Sequence, residues 1–221
     1  MLKHLVRTLS LTLLVALPLH AMAAPVSITT STSGDHSISN EYILDMLGID
    51  RSNLGELPFE MTLQSNFDTD ITPAVPSGGA LSIAGADITV TLHIGTGTFQ
   101  RQGKGWTILG SGPAGYSQTV GLYGFGGRDS IDFGHILNVT QDAAADDPLV
   151  PRNLSASGAS VGTMLVTLNE LDPEWPQTWY MGGTVTSGTI TVSAVPEPSA
   201  WAMMAAGLLA VTVAARRRKQ A

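Results

Sequence analysis

The chain has 221 residues, with 18 acidic and 11 basic side chains, a formal charge of -7 and no cysteine. This length suits one ordinary domain. The missing cysteines exclude a disulfide scaffold, a thiol catalyst and a thiolate metal site, and the acidic balance argues against nucleic-acid binding. A mean hydropathy of +0.19 is high for a soluble protein, and the apolar residues concentrate at the two ends.

Residues 1–23 have the layout of a secretory signal peptide. A basic start is followed by the apolar run 9–19 and then by small residues. That run is shorter than the roughly 20 residues that a membrane-spanning helix needs. Ala21 and Ala23 supply the small side chains that signal peptidase reads, so we expect cleavage between Ala23 and Ala24.

Residues 196–221 combine a short motif, an apolar run and a basic tail. The apolar run 200–215 is long enough to cross most of a bilayer core, so we expect a C-terminal transmembrane helix. Cations that follow such a helix stay on the cytoplasmic side and fix its orientation. The four cations are Arg216, Arg217, Arg218 and Lys219.

Pro196, Glu197 and Pro198, together with the apolar span and the basic tail, resemble the PEP-CTERM sorting signal of bacterial exported proteins. The resemblance implies that exosortase, a membrane protease-transpeptidase, recognises this tripeptide and removes or exchanges the tail. It also implies an exopolysaccharide-producing, biofilm-forming bacterium. Ala200 departs from the family, in which many members carry a hydroxyl residue there. The resemblance covers about the last 27 residues, and the family of the body stays unknown.

Residues 24–195 are predicted to form an exported, mainly β domain. Apolar and polar residues alternate in 88–94 and 131–139, which is typical of strands with one buried face. Dense glycine and proline turns between such strands favour an antiparallel β-sandwich or a jelly-roll-like fold. One short helix is expected at 40–47, because Ser39 or Asn40 can cap it, its apolar residues Ile43, Leu44 and Leu47 share one face, and Gly48 can end it. The stretch 141–160 is expected to be an exposed loop.

Two glycine motifs match enzyme patterns but lack their structural context. Gly158 to Gly162 fits a nucleophile elbow, which needs a strand before the serine and a helix after it. Gly110 to Gly115 fits a dinucleotide fingerprint, which needs a helix to receive the pyrophosphate. Neither is followed by a helical pattern, so we interpret both as turns or loops and expect no enzymatic activity.

The candidate metal ligands show no recognised spacing. His93 and His135 lie on separate alternating segments, and each is interpreted as a surface or structural histidine. Acidic pairs in loops leave calcium open as an alternative, although no EF-hand or nonapeptide repeat is present. We therefore predict no metal and no cofactor.

The segment 172–180 gathers two tryptophans beside two carboxylates. Trp175, Trp179 and Tyr180 are candidate glycan contacts, because sugar rings stack on flat aromatic side chains. Burial of these rings in the core is the competing interpretation. This patch is the basis of an alternative function, a carbohydrate-binding module.

The sequence thus predicts a non-enzymatic protein of the cell envelope, outer surface or extracellular matrix. Its expected partners are signal peptidase, exosortase, the membrane and an exopolysaccharide. The span 24–195 contains 17 acidic and 5 basic side chains, a formal charge of -12. The exported body is therefore more strongly acidic than the whole chain.

Overall fold

The structure, a computed structural model, describes residues 25–38, 40–68, 75–77, 80–112, 115–123, 129–139, 148–170, 177–194 and Gly207. The predicted signal peptide lies outside these residues. So does the predicted sorting tail, apart from Gly207.

The described residues form nine strands, one α-helix and one short 3₁₀ turn at Arg51–Asn53. The helix, α1, spans Glu41–Leu47. The strands are β1 Val26–Ile38, β2 Glu56–Phe67, β3 Val75–Ser77, β4 Ala80–Ile94, β5 Gly97–Gly112, β6 Gly115–Leu122, β7 Asp129–Leu137, β8 Arg152–Glu170 and β9 Gln177–Ala194. The mainly β prediction with one short helix is confirmed.

The strands form one antiparallel sheet that closes on itself. Each strand from β4 to β8 pairs with the next in the chain, β9 pairs with β1, and β1 pairs with β2. The ring closes because Phe59–Asn66 of β2 pairs with Asp87–Ile94 of β4. β3 is a short addition that pairs only with β4 among the described strands.

The expected sandwich or jelly roll is therefore corrected to a single closed sheet. The period of two in the sequence identifies the buried face of strands such as β4, but it does not say which strand edges meet. The pairing of β2 with β4 is a contact between non-consecutive strands, and no local pattern encodes it.

The interior of the closed sheet is filled by inward-facing side chains of β1, β2 and β4 to β9. In β4, Ile88, Val90, Leu92 and Ile94 are buried, whereas His93 between them is exposed. Burying such side chains contributes roughly 1.5–3 kcal/mol each relative to leaving them in water. The alternation that predicted these strands is thus the alternation that forms the core.

Helix α1 covers the end of the closed sheet at which β1 finishes. Asn40 caps it by accepting a hydrogen bond from the backbone N–H of Tyr42 at 2.9 Å. Gly48 ends it in the left-handed conformation, with φ at 67°. The buried residues of the helix pack onto the core, as the sequence predicted. They are Ile43, Leu44 and Leu47.

One loop prediction is wrong. The stretch 141–160 was expected to be an exposed loop, yet β8 begins at Arg152. Its first residues pair with β9, from Arg152 opposite Val192 to Ser157 opposite Ser187. Leu154 and Ala156 pack against the core, but the residues between and beside them are polar, and residues 157–160 are exposed. The segment therefore shows only a short apolar alternation, too weak to identify a half-buried strand.

Candidate functional site

The sorting and cleavage residues lie outside the described part of the chain. These residues are Ala21, Ala23, Ala24, Pro196, Glu197, Pro198, Arg216, Arg217, Arg218 and Lys219. Within the described residues, no helix has the length and apolar character required to cross a bilayer. The predicted transmembrane run, of which only Gly207 is described, is not tested by that finding.

The two ends of the described body lie next to each other. Val26, the first residue of β1, pairs directly with Ala194, the last residue of β9. Both flanking segments therefore leave the sheet from neighbouring strand ends. Helix α1 follows the opposite end of β1, so it lies at the far end of the closed sheet.

The predicted aromatic patch is only partly exposed. Trp175 is not among the described residues. Trp179 is half-buried and packs against the core, and its ring lies 5.1 Å from that of Tyr42 on α1, centroid to centroid. Tyr180 is 60% exposed. For Trp179, the competing core interpretation describes the geometry better.

The two histidines that were candidate metal ligands, His93 and His135, do not lie together. His135 points into the closed sheet and is buried, whereas His93 is exposed on the outer face. His93 Nδ1 lies 2.9 Å from the hydroxyl of Thr98. Among the described residues, no three metal-binding side chains come together.

A polar seam crosses the otherwise apolar interior. Thr30 donates a hydrogen bond to the amide oxygen of Gln118, and the amide nitrogen of Gln118 donates to Ser65 Oγ at 2.9 Å. Thr32 Oγ1 lies 2.7 Å from His135 Nδ1. These contacts join β1 to β2, β6 and β7 through the core, a connection that sequence reasoning missed because no local signal marks it.

The electrostatics of His135 follow from its burial. Desolvation lowers the pKa of its imidazole from 6.5 to about 3, so the ring is neutral at physiological pH. Nε2 has no hydrogen-bond partner among the described residues. A neutral imidazole sealed inside the sheet is a structural group rather than a base for an external substrate.

The outer face of β5 to β9 carries a second set of residues that the sequence did not single out. Consecutive strand pairings align one residue from each strand, and we call this set the outer row. The following position on each of these five strands is buried, so the outer row faces away from the core. Its members are Trp106, Gly121, Asp132, Thr167 and Tyr180.

Asp132 is the charged member of the outer row. Its Oδ2 accepts a hydrogen bond from Asn169 Nδ2 at 3.3 Å, and Thr178 Oγ1 donates to Asn169 Oδ1 at 3.1 Å. Partial burial raises the pKa of the Asp132 carboxyl above its usual value. The carboxylate is therefore held in position by its hydrogen-bonded neighbour and is not free to rotate in solvent.

Two hollows open beside the outer row. One, of about 120 Å³, is lined by residues that include Asp132 and Gly134. The other, of about 660 Å³, includes Gly182 in its wall. Thr163 and Leu165 line both hollows, so the two adjoin on the outside of the sheet, and we call them together the groove.

The described residues of the two glycine motifs lie in strands. Gly158 to Gly162 lies within β8, and strand rather than helix follows it. Gly110 to Gly112 ends β5, and Gly115 begins β6, which pairs antiparallel with it. Neither segment is followed by a helix, so neither has the context that an elbow or a dinucleotide site needs.

Comparison with known families gives a match at the C-terminal end of the chain. The family model for the PEP-CTERM protein-sorting motif matches residues 194–219. The chain therefore carries this sorting motif, which implies exosortase-dependent sorting and export to the cell envelope or surface. No curated protein matches the chain.

Proposed function

We propose that this chain is an exosortase-sorted protein whose closed β-sheet body serves at the cell surface or in the extracellular matrix. The PEP-CTERM motif at residues 194–219 is the observation that carries the proposal. Signal peptidase acts first, between Ala23 and Ala24. Exosortase then acts at Pro196, Glu197 and Pro198, while the cations from Arg216 to Lys219 keep the tail's end in the cytoplasm.

The register of the terminal strands supports this processing scheme. β1 begins two residues after the proposed signal-peptide cleavage, and β9 ends two residues before Pro196. Val26 and Ala194 are paired neighbours, so both processing sites adjoin the same end of the body. In this scheme the body stands on the membrane by that end, with α1 directed away from the bilayer.

The body acts through its outer surface in this scheme. Apolar side chains and the polar seam fill the interior of the closed sheet. The span 24–195 carries a formal charge of -12, which favours solubility and opposes binding to anionic polymers. We assign the body a structural or interaction role in the matrix of an exopolysaccharide-producing bacterium, without catalysis.

The alternative function is a carbohydrate-binding module that uses Trp175, Trp179 and Tyr180. The position of Trp179 does not favour it. Trp179 packs against the core and beneath Tyr42. Tyr180 remains exposed. A glycan site that uses Tyr180 therefore needs partners other than Trp179.

A fractionation experiment tests the sorting proposal. The chain is expressed in a host that has exosortase and in the same host without it, and the Pro196-Glu197-Pro198 tripeptide is replaced by three alanines in a variant. We expect the wild type in the surface or extracellular fraction only when exosortase is present, and the variant in the inner-membrane fraction of both hosts. A matched control, Ser193→Ala, changes a side chain just before the motif and should be sorted normally. Equal surface delivery of the triple-alanine variant would contradict the proposal.

A further inference from the structure

The outer row carries an aromatic side chain at each end. A Cβ placed on Gly121 would overlap three atoms of the Trp106 indole, so this ring lies over the backbone of β6. Tyr180 at the other end is 60% exposed. Four strand spacings separate the two, about 19 Å along the sheet. Aromatic surfaces of this kind pack against the apolar face of a sugar ring.

Polar groups occupy the middle of the outer row. Asp132 Oδ2 is engaged by Asn169, while Oδ1 has no hydrogen-bond partner among the described residues. Thr167 is the residue paired with Asp132 on the neighbouring strand. A positioned carboxylate beside a hydroxyl provides the acceptor and donor that a pair of sugar hydroxyls requires.

The groove provides space for a chain rather than for a compact ligand. Its two hollows share Thr163 and Leu165, and Gly134 and Gly182 each line one of them. The lining residues run across β6, β7, β8 and β9, strands that the outer row also crosses. Adjoining hollows of this kind fit an extended polymer.

The charge of this face and the pairing of its strands indicate which type of polymer could bind. Asp132 is the charged residue of the row, and nearby Lys104 forms an ion pair with Asp87 at 2.8 Å. Among the residues that the structure describes, an anionic chain would therefore meet a negative site whose neighbouring cation, Lys104, is already paired. β6, β7 and β8 are each paired on both sides along the row, so a peptide has no free strand edge to extend here.

We propose that the outer row and its groove bind a neutral polysaccharide, with sugar rings packed on Trp106 and Tyr180 and sugar hydroxyls bonded to Asp132. The site is additional to the sorting signal, and its occupancy does not depend on how the tail is processed. It shares Tyr180 with the patch predicted at Trp175, Trp179 and Tyr180, but it does not use Trp179, which packs against the core.

Affinity electrophoresis of the full-length protein in detergent tests this site. The gels contain hydroxyethylcellulose, laminarin or galactomannan as neutral probes, and alginate as an anionic probe. We expect at least one neutral polymer to retard the wild type and alginate to leave it unaffected. Tyr180→Ala and Asp132→Ala should each raise the dissociation constant obtained from the retardation by about tenfold, as expected for residues central to a binding site. Far-ultraviolet circular dichroism verifies that both variants are folded.

Tyr42→Ala is the matched control. Tyr42 is similarly exposed, at 53%, but it lies on α1, where it packs against Trp179, and it is not a member of the outer row. Its loss should leave retardation unchanged. The proposal is overturned if no neutral polymer retards the wild type, if Tyr42→Ala weakens binding as much as Tyr180→Ala, or if alginate binds as well as the neutral probes. Tail processing is measured separately by fractionation, so failure here would leave the sorting proposal standing.

Discussion

The buried histidine should make the stability of the body depend on pH in a defined direction. His135 lies inside the closed sheet beside Thr32, and burial lowers its pKa from 6.5 to about 3. In the unfolded chain the imidazole titrates near pH 6.5. Between these two values the unfolded state binds a proton that the folded state does not. The free energy of unfolding therefore falls as the pH falls from 6.5 towards 3.

The size of this effect follows from the two pKa values. Each pH unit below 6.5 costs about 1.4 kcal/mol, so His135 removes about 2 kcal/mol at pH 5 and about 3 kcal/mol at pH 4. Losses of this size are a large fraction of the stability of an ordinary domain. The His135→Gln variant keeps a polar side chain facing Thr32 but cannot titrate.

Urea unfolding followed by circular dichroism at pH 7, 5 and 4 measures the effect. The wild type should lose about 3 kcal/mol more than His135→Gln between pH 7 and pH 4, because the carboxylates contribute equally to both proteins. If the two proteins lost stability in parallel, His135 would not be a buried neutral group. An imidazole NMR signal from His135 that titrates near pH 6.5 in the folded protein would refute the reasoning independently.

Three backbone predictions concern strand packing and the ends of α1. A Cβ on Gly34 would collide with the carbonyl oxygen of Thr184, so Gly34→Ala should cost about 1–3 kcal/mol in urea unfolding. Gly103→Ala, whose new Cβ has only a contact at 3.5 Å, is its control and should stay within about 0.5 kcal/mol of wild type. Asn40→Ala removes the helix cap and should lower stability by about 1 kcal/mol, which a urea titration would detect as a lower midpoint. Gly48→Ala places a side chain at φ 67° and should cost about 1 kcal/mol, measured as a lower melting temperature; unchanged melting would contradict the left-handed cap.

The parts of the fold that the sequence predicted are those with a local physical signal. In β4, apolar residues from Ile88 to Ile94 alternate with polar ones because one face meets the core. α1 was predicted because Asn40 and Gly48 supply the cap chemistry that its two ends require. These signals arise within a few residues, so one sequence is enough to identify them.

β1 is an example of a strand that the sequence did not predict. Thr30 and Thr32 face the core although they are polar, because Gln118 and His135 bond them from across the closed sheet. The apolar alternation that would mark the strand is therefore missing. The partners lie 88 and 103 residues away, a separation over which local patterns carry no information.

The outer row could not be predicted for a related reason. Its five members come from five strands, and four separate registers align them. A shift of one residue in any register would turn that member's side chain towards the core. The sequence identified Tyr180 as a candidate contact but paired it with its neighbours in the chain rather than with Asp132 and Trp106 across the sheet.

The mass of the mature protein tests the sorting proposal most directly. Protein is recovered from the surface of an exosortase-bearing host and analysed by intact-mass and terminal-peptide mass spectrometry. We expect a first residue of Ala24 and the loss of the residues beyond Pro196, Glu197 and Pro198. Mature protein that still extends to Ala221 would contradict processing at the PEP-CTERM motif.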